Sequence, residues 1–146
     1  MNPDADQENW GEVFRLKGVD VTVYIYELKR ALATMARTLD RDDEAELWDL
    51  EAEKIKSAVL EKMWDAEEEI FFDVDPVTGQ QTTVKGATCF YPYFTDIVSE
   101  NHVAGLKRHL LNTKEFWTKY PVPATSADDE TFSAEPEWKG KRMNCP

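Results

Sequence analysis

The sequence predicts a mainly α-helical chain of antiparallel αα-hairpins, with a small β-hairpin inserted near residues 70–84. Three observations predict it. Apolar residues recur at helical spacing through two long stretches, 20–39 and 43–64. A short acidic turn, Asp40-Arg41-Asp42-Asp43, joins those stretches. The run Met63–Val84, MWDAEEEIFFDVDPVTGQQTTV, then breaks the helical period with an apolar aromatic segment followed by Asp75-Pro76-Val77-Thr78-Gly79, a sequence with turn chemistry.

Taken in order, residues 1–17 form a polar lead-in, where Trp10 and Phe14 are spaced to pack as one helical turn. Residues 18–65 form the αα-hairpin. Asp20 is placed as an N-cap, and Val21, Ile25, Leu28, Leu32, Met35 and Leu39 follow in steps of four and three, predicting one buried face. The second helix runs from about Asp43 to Trp64, with Leu47 or Trp48, Ala52, Ile55, Val59 and Met63 as its stripe. Its acidic start suits the positive end of a helix dipole. Residues 69–84 are the β-hairpin, with arms Ile70–Val74 and Gln81–Val84. Strands this short need support from neighbouring elements. Residues 86–112 carry two more helices, one near Pro92–Val98 and one capped by Ser99 or Asn101, with Val103, Leu106, Leu110 and Leu111 on one side and Asn112 as its stop. Residues 113–146 lack periodicity and read as an extended loop packed by Phe132 and Trp138.

At 146 residues the chain has the size of one domain that can bury a core. Its net charge of −12 excludes nucleic acid and anionic membrane as partners, since both require a cationic surface. No apolar run is long enough to span a bilayer, and the acidic N-terminus does not read as a signal peptide. Cys89 and Cys145 are too few for a disulfide framework, so reduced thiols and a cytoplasmic location are expected.

Chemistry is sparse. Between Asp40 and Asp75 there are fifteen Asp or Glu against four Lys or Arg, which reads as a solvated helix face and not as a reaction centre. His102 and His109 are seven residues apart, too far to chelate an ion as a helical i,i+4 pair, so no metal is expected. Neither a nucleophile motif nor a phosphate-binding glycine loop is present, and no cofactor is called for. Two features stand apart. Asp128-Asp129-Glu130 lies beside Ser126 in a loop. Phe90, Tyr91, Tyr93, Phe94, Phe116, Trp117, Tyr120 and Trp138 fall in loops or at helix ends, where rings serve either to stack sugars or to fasten loops to the scaffold.

The ordered set Met63-Trp64-Asp65, Phe71-Phe72-Asp73-Val74-Asp75-Pro76-Val77-Thr78-Gly79 and Phe90-Tyr91-Pro92-Tyr93-Phe94 resembles the catalytic toroid of the six-hairpin glycosidases. The nearest relatives are the mannosylglycerate hydrolase-like enzymes, with the trehalases and α-glucosidases of glycoside hydrolase families 63 and 37 further off. His109-Leu110-Leu111-Asn112, Glu115-Phe116-Trp117 and Tyr120–Ser126 look like the segment leading into the sugar pocket. The resemblance implies part of an (α/α)6 toroid, a carbohydrate ligand, and a substrate-binding set of Tyr91, Tyr93, Phe94, Trp117, Ser126 and Asp129. It also implies inverting hydrolysis of an α-glycoside, with an acid and a base carboxylate standing about 6.5–9.5 Å apart. The family's general acid precedes the equivalent of residue 1 and its base follows the equivalent of residue 146, so no catalytic residue is assigned here. The expectation is an interior piece of an enzyme, inactive alone, that leaves apolar stripes for a homo-oligomer or for the rest of the enzyme. Two other readings remain open: an acidic helical module for protein partners, and a small acid/base enzyme using Asp128 or Asp129.

Overall fold

The computed structural model describes residues 16–129 and residue 132. Trp10, Phe14, Trp138 and Cys145 lie outside the described residues. Two long helices, α1 (Val19–Thr38) and α2 (Asp42–Lys62), are followed by two short strands, β1 (Trp64–Asp65) and β2 (Ile70–Phe71). A 3-10 helix spans Ala87–Phe94, and a 3-10 turn at Glu100–His102 leads into α3 (Val103–Leu110).

Helix α1 ends in two nested hydrogen bonds, from Arg41 N–H to the Ala36 carbonyl and from Asp40 N–H to the Arg37 carbonyl. Asp40 takes the left-handed conformation (φ 55°) this ending requires. The turn is so short that α2 must run back antiparallel against α1. Val19, Val23, Tyr26, Ala33 and Ala36 of α1 are buried, as are Ala45, Ala52 and Val59 of α2. Lys29 bridges to Glu51 (2.6 Å) and lies 4.4 Å over the Trp48 ring, and Arg37 pairs with Asp49.

Two expectations for α1 are corrected. Its N-cap position is Gly18, not Asp20, and the Val19 N–H donates to Asp73 Oδ1 (2.8 Å), a carboxylate 54 residues away. The stripe assigned to the core faces outward: Val21, Ile25, Leu28, Met35 and Leu39 are exposed, Leu28 by 56 % and Met35 by 61 %. The helix is apolar on two faces. The one carrying Val and Ala goes inside because α2 presents Ala45 and Ala52, and small residues let helices approach closely. In α2 the sequence stripe holds for Ala52, Val59 and Met63, whereas Leu47 is exposed.

The small antiparallel sheet pairs Trp64 with Phe71 and Asp65 with Ile70, so the partner of the Ile70 segment precedes it. The expected arm after the Asp-Pro turn is reduced to a single bridge, Val74–Gln81, flanked by hydrogen bonds from Asp75 N to Gln80 O (2.9 Å) and from Thr82 N to Asp73 O (2.8 Å). The reason is that Val74 also bridges Lys17, which draws the strand toward the start of α1. Alternation along Ile70-Phe71-Phe72 divides the interior. Phe71 joins a cluster with Val19, Val23, Tyr26, Ala52, Val59, Met63, Val74 and Ile97. Ile70 and Phe72 join a second with Cys89, Phe90 and Phe116, backed by Leu106 and Leu110. Both faces of the strand are therefore buried, which explains its continuous apolar run.

Helix α3 docks on the β1–β2 turn at Gly105. A Cβ there would stand 1.9 Å from the Glu69 carbonyl oxygen, so only glycine permits the approach. Ser99 caps the preceding 3-10 turn through a reciprocal pair with His102. Of the side expected to be buried on α3, Leu106 and Leu110 are half-buried and Leu111 is exposed, while Gly105 and His109 are the buried positions. Among the described residues no helix is long and apolar enough to cross a membrane.

Candidate functional site

The aromatic segment forms the 3-10 helix Ala87–Phe94, earlier than the helix expected near Pro92–Val98. Cys89, Phe90 and Pro92 turn inward, and burial pushes the Cys89 thiol up to about 12, leaving it an inert core group. Phe94 turns outward, and Tyr91 is half-buried against the helical core. Tyr91 packs edge-on against Tyr24 of α1 (5.6 Å between centroids) and against Phe94 (6.1 Å), and Phe94 is 82 % exposed. Tyr93 is half-buried: its ring meets Phe71 at 5.8 Å and its hydroxyl donates to the His102 carbonyl at 2.9 Å. Burial pushes its phenol up to about 12.

The loop after α3 returns to the base of this 3-10 helix. Gly86 bridges Thr125, Ala87 N donates to Ala124 O (2.9 Å) and Ser126 N donates to Lys85 O (2.8 Å). Thr125 and Ser126 are buried. The Ser126 hydroxyl donates to Asp128 Oδ1 (2.6 Å), so it faces its own loop. Trp117 is half exposed, and Asp129 N donates to Ser126 O at 3.1 Å. Of the six sequence-predicted residues, the fold unites Tyr91, Tyr93 and Phe94 on one 3-10 helix and brings Ser126 and Asp129 to the segment from which that helix starts. Trp117 sits further back on the loop.

Beneath the loop lies a chain of charged groups, of which the sequence pointed to Asp128 but not to its partners Lys85 and Glu115. Lys85 Nζ is 2.6 Å from Asp128 Oδ2 and 3.1 Å from Glu115 Oε1. Glu115 Oε2 is 2.6 Å from Nδ1 of the buried His109, whose Nε2 is 2.6 Å from the Glu68 carbonyl oxygen. Desolvation alone would lower the Lys85 ammonium, but its hydrogen bonds to Asp128 and Glu115 outweigh burial and leave it raised. Desolvation likewise opposes the Asp128 carboxylate, but hydrogen bonds from Lys85 and Ser126 hold it below the usual carboxylate range. The available signal was His109 itself, one ionisable residue on the apolar side of a short helix. Among the described residues, no three of His, Cys, Asp and Glu stand close enough to hold a metal ion.

A helical hairpin backed by a small two-stranded sheet, with aromatic rings and a stapled loop at one end, defines a piece of a six-hairpin glycosidase toroid. Residues 1–142 match the model of the mannosylglycerate hydrolase MGH1-like glycoside hydrolase domain. The chain belongs to that family. Among solved structures it is similar to a sialidase (TM-score 0.78, 17 % identity, 88 % of this chain and 12 % of that one). It is similar to the GH63 mannosylglycerate hydrolase from Thermus thermophilus solved with Tris (TM-score 0.70, 22 % identity, 92 % and 31 %). It also resembles the neutral trehalase of Saccharomyces cerevisiae (TM-score 0.69, 17 % identity, 86 % and 24 %). At these identities the likenesses show the shared fold, and the chain spans no more than about a third of each of these three. A comparison with proteins of curated function returns no match.

Proposed function

We propose that this chain is one arc of the sugar pocket of an inverting α-glycoside hydrolase whose acid and base carboxylates come from outside residues 1–146. The family match carries this reading. The Thermus mannosylglycerate hydrolase has been solved with glucose bound, which supports a carbohydrate ligand. Tyr91, Phe94 and Trp117 supply ring surface for stacking, Tyr93 anchors their segment from inside through Phe71 and the His102 carbonyl, Asp129 supplies a carboxylate for sugar hydroxyls, and Ser126 gives support from behind through Asp128. Glu115 and Asp128 are both held by Lys85, and a carboxylate clamped to a cation makes a poor general acid. That favours chemistry supplied from elsewhere in the toroid. The exposed apolar face of α1 supports association, with the rest of the enzyme or with a second copy. The free, buried Cys89 supports a reducing, cytoplasmic setting.

Tryptophan fluorescence titration of the chain with glucose, mannose, trehalose and glucosylglycerate tests the reading. The expected result is a saturable change with at least one sugar, weakened by Phe94→Ala and Trp117→Ala. Silence toward all four would remove the pocket, and hydrolysis by the isolated chain that Asp129→Asn abolishes would overturn the placement of the chemistry elsewhere.

A further inference from the structure

We infer that Lys85 is the positioning residue of the pocket wall: its ammonium, bridging Glu115 and Asp128, fixes the loop Ala124–Asp129 against segment 85–87. The inference rests on reading that loop as part of a sugar pocket. Lys85 holds the loop twice, and Glu115 holds it once directly and once through Lys85. Lys85 does so through its carbonyl, which accepts from Ser126 N (2.8 Å), and through its ammonium on Asp128 (2.6 Å). Glu115 does so through its carbonyl, which accepts from Ala127 N (3.0 Å), and through its carboxylate on Lys85 (3.1 Å).

The signs alternate from Glu115 through Lys85 to Asp128. His109 sits at the far end, its ring nitrogens facing the Glu115 carboxylate and the Glu68 carbonyl. The Lys85 side chain is 17 % exposed and that of Glu115 10 %, so water screens the inner half weakly. Lys85 is the group shared by both carboxylates. Removing its charge removes both attractions at once and leaves Asp128 without its cation, while Glu115 keeps its contact with His109. Removing Asp128 instead leaves Lys85 paired with Glu115. The network therefore has a defined weak point, and that point is Lys85.

The test is amide hydrogen exchange on the full 146-residue chain, read as protection factors at Ser126 and Ala127 in the wild type, Lys85→Met, Lys85→Arg and Asp128→Asn. Lys85→Met is expected to lower loop protection at least about tenfold while α1 and α2 amides keep theirs, Asp128→Asn to lower it less, and Lys85→Arg to restore most of it. A readout that plain packing would not move is the pH dependence. Wild-type protection is lost on acidification, as Asp128 protonates below its ordinary range. Lys85→Met is expected to lack this acid-side loss, because the ion pair that Asp128 protonation breaks is already gone. Unchanged loop protection in Lys85→Met, or loss on acidification as in the wild type, overturns the inference. If Lys85→Met unfolds the whole chain, Asp128→Asn decides: a loss confined to the loop supports the role, and no loss refutes it. Sugar titration separates the two claims. A wild type that binds no sugar, with a loop that loosens as described, removes the pocket but leaves the anchor. Loosening without weaker sugar binding removes the positioning role.

Discussion

In the αα-hairpin no charged residue is fully buried: Lys29–Glu51 and Arg37–Asp49 run along the edge of a core made of Val, Ala, Tyr and Met. In the loop half His109 and Glu115 go inside, with the half-buried Lys85 beside them. The difference follows from what each half has to hold. Helices satisfy their own backbone groups and need only apolar contact between them. The loops around residues 65–69, 85–87 and 112–129 lack regular hydrogen bonding, so side chains and single bridges complete it. A half built this way is sensitive to the identity of individual residues, whereas the helical half depends on overall shape and pattern.

Substitutions can break or sharpen that contrast. The largest effect is expected at the boundary. Phe71 is fully buried and lies 4.8 Å from Trp64, and Phe71→Ala is expected to cost about 3–5 kcal/mol in urea denaturation, since it opens a cavity between both clusters. Next comes Gly105→Ala, expected to cost about 3 kcal/mol because the new Cβ meets the Glu69 backbone; a tolerated alanine would show the turn to be loosely docked. Tyr26→Phe removes the hydroxyl donated to Asp96 and is expected to cost about 1 kcal/mol near neutral pH. That hydroxyl is the main cause holding the Asp96 carboxyl below its usual range. Its contribution is therefore present above the ordinary carboxylate value and fades as pH falls through the lowered one, so denaturation curves of variant and wild type should converge in acid. In the helical half, Asp40→Gly should stabilise by about 0.5–1 kcal/mol, because glycine adopts the left-handed turn without strain. Smallest of all, Leu28→Gln and Met35→Gln on the outer face of α1 should change monomer stability by less than about 0.5 kcal/mol. They should nonetheless reduce self-association in sedimentation velocity; unchanged sedimentation would remove that face as a contact surface.

The helices were legible in the sequence because their period is local. The spacing Ala52, Val59, Met63 names the inner face of α2 correctly. For α1 the same rule selects Ile25, Leu28 and Met35, and the structure instead buries Val19, Val23, Tyr26, Ala33 and Ala36, because a period reports an apolar face and not which neighbour it meets. The ordered aromatic motif led to the right family. Of the charged network only Asp128 stood out in the sequence, since Lys85, His109 and Glu115 lie elsewhere along the chain and only the fold makes them its neighbours. The cap on α1 was missed for the same reason: Asp20 is local and Asp73 is not.

That distant cap bears on the order of events in folding. Val19 and Asp73 are separated by 54 residues, so the first turn of α1 lacks its acceptor until the whole αα-hairpin has closed and β2 has docked. The loop-closure entropy of that contact is borne only once the helices have already brought its ends together. During synthesis the start of the first helix is made before the Phe71–Asp73 segment that supplies its acceptor. The contact then works as a late fastening, which commits a helical pair formed from local contacts to its place beside the strand.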